Sequence, residues 1–78
     1  MGNINLWDAE LKKEYTVENI FLENPVSRRL EALGINEGTP VYVLTRKKTG
    51  AMIVKIRGTR LALGKHITSN IEIKEVRK

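Results

Sequence analysis

In Ala51-Met52-Ile53-Val54-Lys55-Ile56-Arg57-Gly58, one set of alternate positions is wholly apolar while the other runs from Ile53 into charge at Lys55 and Arg57. Met52, Val54 and Ile56 share one face, while Lys55 and Arg57 point the other way, which is the period of a half-buried β-strand. Leu61 and Leu63 repeat the pattern, and Ile71 and Ile73 alternate with Glu72 and Lys74. TPVYVLTRK, residues 39–47, reads as another strand. YTVENIFL, residues 15–22, is rich in strand formers but breaks the alternation. Tyr15, Val17 and Phe21 have one parity, Ile20 and Leu22 the other, and a bulge or an early bend would reconcile them. INLWDAELKK, from Ile4, can form a helical turn that folds Leu6, Trp7 and Leu11 onto the body.

One segment has the helical period instead. In residues 24–34, NPVSRRLEALG, the residues Val26, Leu30 and Leu33 stand at i, i+4 and i+7 and form a single stripe. Asn24 is expected to cap this helix, with Pro25 at its first position, where a missing N–H leaves nothing unsatisfied. Gly34 is expected to end it in the left-handed conformation, with Ile35 closing over the end. Asn36-Glu37-Gly38 predicts a turn and Lys48-Thr49-Gly50 a tight connection. Gly34, Gly38, Gly58 and Gly64 all fall at such breaks, where positive φ or close backbone approach is useful.

The turns are too short for parallel crossovers, so antiparallel pairing is expected. The predicted fold is mainly β: one domain over residues 1–78, a small antiparallel barrel of about five strands, closed to remove its edges. A short helix between the first two strands would plug one end. A 78-residue chain buries only about three-fifths of its unfolded surface, which leaves no room for a second lobe or a deep cleft.

Composition narrows the function classes. The chain has no cysteine, hence no disulfide or thiolate metal site, which fits a reducing compartment. No apolar run approaches the roughly 20 residues needed to span a bilayer. The N-terminus lacks the basic and apolar regions of a signal peptide, and Leu6 stands where a myristoylation motif requires Ser or Thr. The net charge of +5 is unevenly spread: residues 1–37 carry seven acids and four bases, residues 38–78 ten bases and two acids. The second half therefore predicts an acidic partner.

Reactive equipment is sparse. Ser27, Ser69 and the threonines have no neighbouring base with an orienting third group, and there is no glycine-rich phosphate loop, so no enzyme activity is expected. His66 is the only imidazole, a weak candidate ligand beside Glu72 and Glu75, and no metal site or tightly bound cofactor is expected. A nucleic-acid-binding barrel is the main alternative, permitted by a pI near 9.8. With Trp7, Tyr15 and Phe21 read as packing residues, Tyr42 alone makes a poor stacking platform, and nucleic acid is not favoured. Arg46, Lys47 and Lys48 at a predicted hairpin tip, with Lys55, Arg57, Arg60 and Lys65, form a candidate docking face that Arg28 and Arg29 could extend.

Two segments together resemble a known family. RRLEALGINEGTPVYVL, residues 28–44, is similar to an Arg-Arg-Leu-x-x-Leu-Gly-x-x-x-Gly-x-x-Val-x-Val signature. VKIRGTRLALGKHITSNIEI, residues 54–73, is similar to a closing segment, Val-x-Gly-x-x-x-Ala-Leu-x-x-x-x-Ala-x-x-Ile. The family is the FeoA type, ferrous iron transport protein A, and the likeness spans about residues 4–76. Two departures are a shorter loop at Lys47-Lys48-Thr49-Gly50 and Ile67-Thr68-Ser69 where alanine is common. The resemblance implies an SH3-like domain acting as a cytoplasmic accessory or regulatory protein of bacterial ferrous iron uptake. Its partner would be the FeoB membrane transporter, which would hold it at the inner face of the cell membrane. Fe2+ enters by family association only. The same unit resembles the C-terminal domain of iron-dependent repressors of the diphtheria toxin repressor type. No helix-turn-helix precedes it in this sequence, so a free-standing accessory protein is expected.

Overall fold

A computed structural model describes residues 4–76. Six strands form one antiparallel sheet: β1 (Ile4–Asn5), β2 (Lys13–Ile20), β3 (Pro40–Arg46), β4 (Ala51–Ile56), β5 (Thr59–Gly64) and β6 (Ile71–Glu75). Their order across the sheet is β1-β6-β2-β3-β4-β5. Two short helices, α1 (Asn24–Ala32) and α2 (Lys65–Thr68), and a 3-10 turn at Leu6–Asp8 complete the described residues.

The mainly β antiparallel architecture agrees with the alternation in the sequence, with three differences. A two-residue strand precedes the expected first one, because Ile4 and Asn5 pair with Ile73 and Glu72. The helix α1 therefore lies between the second and third strands. The sheet does not close, since β5 pairs only with β4. A single-turn helix, α2, which the alternation does not announce, follows Gly64.

Two irregularities decide which side chains face inward. The β2–β6 register shifts between Val17 and Asn19. Before the shift Tyr15 and Val17 are buried; after it Ile20 and Leu22 pack against the core while Phe21 is 63% exposed. The expected bulge thus reconciles the two parities. A second shift, between Val43 and Thr45, sets Arg46 opposite Met52 instead of Ala51. Directly opposed residues of an antiparallel pair point to the same side. Arg46 is therefore turned toward the side of the sheet that carries the core residue Met52.

The core is aliphatic: Leu6, Leu30, Ile35, Val41, Val43, Met52, Val54, Ile56, Ile71 and Ile73 are buried with Tyr15 and Val17. Buried Thr39 and Thr68 are both hydrogen-bonded. The Thr39 hydroxyl accepts from Asn36 N at 2.9 Å and donates to Gly34 O at 3.3 Å. The Thr68 hydroxyl donates to Gly64 O at 3.2 Å.

The helix α1 starts one residue earlier than expected. Glu23 is the residue before its first turn, without a side-chain cap, and Asn24 and Pro25 both lie inside. Pro25 still falls among the first four positions, whose N–H groups have no helical partner. The C-terminal end is as the sequence predicts. Gly34 has φ +89. Ile35 N donates to Leu30 O at 2.8 Å and Gly34 N to Glu31 O at 2.9 Å, the paired bonds of a Schellman ending. Of the stripe, Leu30 is buried and Leu33 is 50% exposed.

β4 and β5 are joined by Arg57 and Gly58, both with positive φ, +53 and +81. This is a type I′ hairpin, whose twist matches that of the strands. Gly64 departs from expectation: as the residue preceding α2 it has φ −73, which any residue adopts. Gly58→Val should therefore destabilise the fold by about 1–3 kcal/mol through backbone strain. No crowding contributes, because a Cβ there meets nothing within 4 Å. Gly64→Ala should leave the melting temperature nearly unchanged. A thermal melt of both variants checks this pair of outcomes.

Candidate docking surface

No acidic residue occurs between Gly38 and Ile71, while Arg46, Lys47, Lys48, Lys55, Arg57, Arg60 and Lys65 all lie there. This run builds β3, β4, β5 and α2, three adjacent strands and the helix that follows them. The acids are on the N-terminal segment, β2, α1, the turn after it and β6. The uneven charge of the sequence thus becomes a polarity across the sheet. Glu18 pairs with Lys74 at 3.7 Å, and Lys13 with Glu10 and Glu75, all on the β2–β6 side. The hydrogen bond to Glu75 raises the Lys13 pKa above the ordinary lysine value. Its contribution is present below the ordinary lysine pKa and lost as pH rises through the higher folded value, and solvent screens it. Among the described residues, none of the seven bases between Gly38 and Ile71 is in an ion pair.

The predicted docking residues divide into three groups. Lys55 and Arg60 stand directly opposite each other on β4 and β5, and Lys55 stands opposite Tyr42 on β3. Tyr42, Lys55 and Arg60 therefore form one row on the face turned away from the core, with Tyr42 36% exposed. Two like charges held opposite across a strand pair oppose folding. Lys47 and Lys48 are exposed at the hairpin tip between β3 and β4, beside Gly50 at φ +100.

Arg46, Arg57 and Lys65 are engaged within the molecule. The Arg46 guanidinium donates from Nη1 to Trp7 O at 2.7 Å and to Ala9 O at 2.9 Å, with its centre 5.7 Å from the Trp7 ring centroid. Lys65 Nζ lies 5.4 Å from the same centroid. Arg57 Nε donates to Gly34 O at 3.3 Å and lies so close to Gly34 that a Cβ there would be 2.9 Å from Arg57 Cδ. These contacts clasp the N-terminal segment and the end of α1. Arg46, although exposed, is thus not a free hairpin-tip residue, because the bulge in β3 sets it on the Met52 side of the sheet, where it reaches the Trp7 and Ala9 carbonyls. Arg28 and Arg29 are exposed on α1, off the sheet.

His66 is exposed on α2, and its carbonyl accepts from Asn70 Nδ2 at 2.8 Å. Its two candidate companions are held elsewhere: Glu72 accepts from Asn19 at 2.6 Å, and Glu75 pairs with Lys13. Among the described residues no three His, Cys, Asp or Glu side chains gather. An open cleft of about 470 Å³ lies elsewhere, lined by Ile20, Leu22, Ser27, Glu31, Asn36 and Glu37. It lies among the end of β2, α1 and the turn that follows, and its charged residues are acidic. Sequence reasoning missed it because its walls come from three separated segments.

The single small antiparallel sheet with its short helices is that of an SH3-like domain. The chain belongs to the FeoA domain family, whose model matches residues 4–75. It is similar to a FeoA-like protein from Clostridium acetobutylicum at 25% identity and TM-score 0.84, over 100% of this chain and 92% of that one. It is also similar to the crystal structure of an iron uptake regulatory protein, FeoA, at 21% identity and TM-score 0.84, over 97% and 100% of the two chains. A manganese-dependent transcriptional repressor matches at 22% identity and TM-score 0.88, over 95% of this chain but 42% of that one. The last two likenesses speak for the fold alone. No curated protein matches the chain.

Two outcomes follow from the row and the clasp. Arg60→Glu should raise stability by about 0.2–1 kcal/mol, because it converts an opposed like-charge pair into an attractive one. Arg46→Ala should lower stability by about 1–2 kcal/mol, and Arg46→Lys should restore part of it, because both bonds leave the single nitrogen Nη1 and an ammonium can donate to two carbonyls. Denaturant melts give both values, and Trp7 fluorescence should change only with Arg46.

Proposed function

We propose that this chain is an accessory protein of bacterial ferrous iron uptake. It acts by contact with the cytoplasmic part of the FeoB transporter rather than by catalysis or by holding iron. The observation that carries this reading is the acid-free basic sheet face in a chain of the FeoA family. Such a face steers an acidic partner and sets its register. Lys55 and Arg60 are the residues best placed to gain, because an acidic partner would relieve their mutual repulsion. Lys47 and Lys48 extend the field without serving the fold. Among the described residues no helix is long and apolar enough to cross a membrane. The protein would work in the cytoplasm, held at the membrane's inner face through its partner. Iron is the transporter's cargo in this reading.

The test is binding to the transporter's soluble cytoplasmic domain at two salt concentrations. Lys47→Glu with Lys48→Glu should slow association and flatten its salt dependence while leaving the melt unchanged. Arg46 is excluded from the variant because of its hydrogen bonds to Trp7 and Ala9. Unchanged binding would mean that the basic face is merely solvated. A generic oligonucleotide serves as the rival ligand. Tight binding with a steep salt slope would favour the nucleic-acid reading instead. Ferrous iron titrated into the purified chain should saturate no more tightly than about millimolar, because among the described residues no co-ligands gather beside His66. Paramagnetic broadening confined to His66 at micromolar iron would contradict this.

A further inference from the structure

The two edges of the sheet are built differently. At one end stands β1, two residues long, too short to template another strand. At the other stands β5, six residues paired with β4 without a register shift from Ala51↔Gly64 to Ile56↔Thr59. It contains no proline and no bulge, the usual devices that blunt an edge. The hairpin geometry fixes which of its backbone groups are free. In a two-residue type I′ hairpin the closing pair, Ile56 and Thr59, exchanges both hydrogen bonds, and the pairs then alternate. Thr59, Leu61 and Leu63 thus bond to β4. The N–H and C=O groups of Arg60 and Ala62 point away from it. Neither residue has another backbone partner among the described residues, whereas Gly64 O is taken by the Thr68 hydroxyl.

We infer that β5 is a strand-addition site for an extended acidic segment of a partner protein, which pairs with the backbone of Arg60 and Ala62. Charge selects the occupant. Arg60 is on the edge strand itself, Lys55 is opposite it, Arg57 lies in the adjoining turn, and Lys65 follows the strand. No acid lies between Gly38 and Ile71 to attract a basic or neutral segment. A second copy pairing through β5 would bring two such basic strands side by side. Main-chain bonds would supply affinity, and alternate acidic side chains would meet Lys55 and Arg60 on the outer face. The inference deepens the docking reading above and rests on it for the partner. It names the mode of contact, which that reading leaves open.

The probe is a blocked decapeptide alternating glutamate and valine, added to the isotope-labelled protein. Amide hydrogen exchange at Arg60 and Ala62 should slow several-fold, with shift changes centred on β5. The same peptide N-methylated at alternate amides should lose the effect, as should a version with lysine for glutamate. Ala62→Pro should abolish it too. It removes an outward N–H and no bond to β4, a substitution tolerated on an edge strand. If Ala62→Pro fails to fold, the N-methylated peptide carries the test alone. Equal binding of the N-methylated peptide would overturn strand addition, as would shifts confined to Lys47 and Lys48, or no effect at millimolar peptide. Dimerisation that protects β5 without any peptide would overturn it in favour of self-pairing. Against the transporter domain, Ala62→Pro binding like wild type while the Lys47 and Lys48 variant binds weakly would remove strand addition and leave the docking reading intact. If neither variant alters binding, both fall.

Discussion

Strand parity is the constraint on which the molecule depends. A single sheet has one inner face to fill, and every second residue must be apolar to fill it. Two register shifts interrupt that rule. In β2, the shift between Val17 and Asn19 lets Tyr15 and Val17 serve the core on one side and Ile20 on the other. In β3, the shift between Val43 and Thr45 sets Arg46, still exposed, opposite Met52 on the core side of the sheet. The first adapts an awkward hydrophobic pattern to the sheet. The second converts a charged residue into a clasp on the backbone of Trp7 and Ala9.

That clasp organises the N-terminal segment. Leu6 and Ala9 are buried, the Tyr15 hydroxyl accepts from Glu10 N at 3.0 Å, and Lys12 N donates to the Val43 carbonyl. The segment lies against the basic half of the sheet as well as the acidic half, because Trp7 receives Arg46 and Lys65 together. Two of the most basic-looking positions in the chain are thereby spent on the fold, and Arg57 is a third through Gly34. What remains free on the β3–β5 face is a smaller set: Lys47 and Lys48 at the tip, Lys55 and Arg60 in a row with Tyr42.

Much of this was legible in the sequence. Met52, Val54 and Ile56 announced β4, and Gly34 followed by Ile35 announced the end of α1, because both depend on neighbours within a few residues. The bulge in β2 was legible for the same reason: its parity conflict is written into Tyr15, Val17, Ile20 and Leu22. The bulge in β3 was not. Val41, Val43 and Thr45 alternate without conflict, so only the partner strand reveals that Arg46 changes face. Gly64 was misread because a glycine at a strand end looks the same whether it turns or merely precedes a helix. The open edge at β5 was missed because closure is a property of the whole sheet. The pairing of Lys55 with Arg60 follows from Arg57-Gly58 as a two-residue turn, a signal local to the sequence.

The docking proposed for this FeoA-family domain rests on its basic half-sheet. The most direct measurement is cross-saturation on the isotope-labelled protein mixed with the soluble cytoplasmic domain of a FeoB transporter, the proposed partner. The account predicts saturation transfer at Lys55, Arg60 and Ala62, with weaker transfer at Lys47 and Lys48, and little along α1. Transfer centred on Leu22, Ser27 and Glu31, around the acidic cleft, would contradict it.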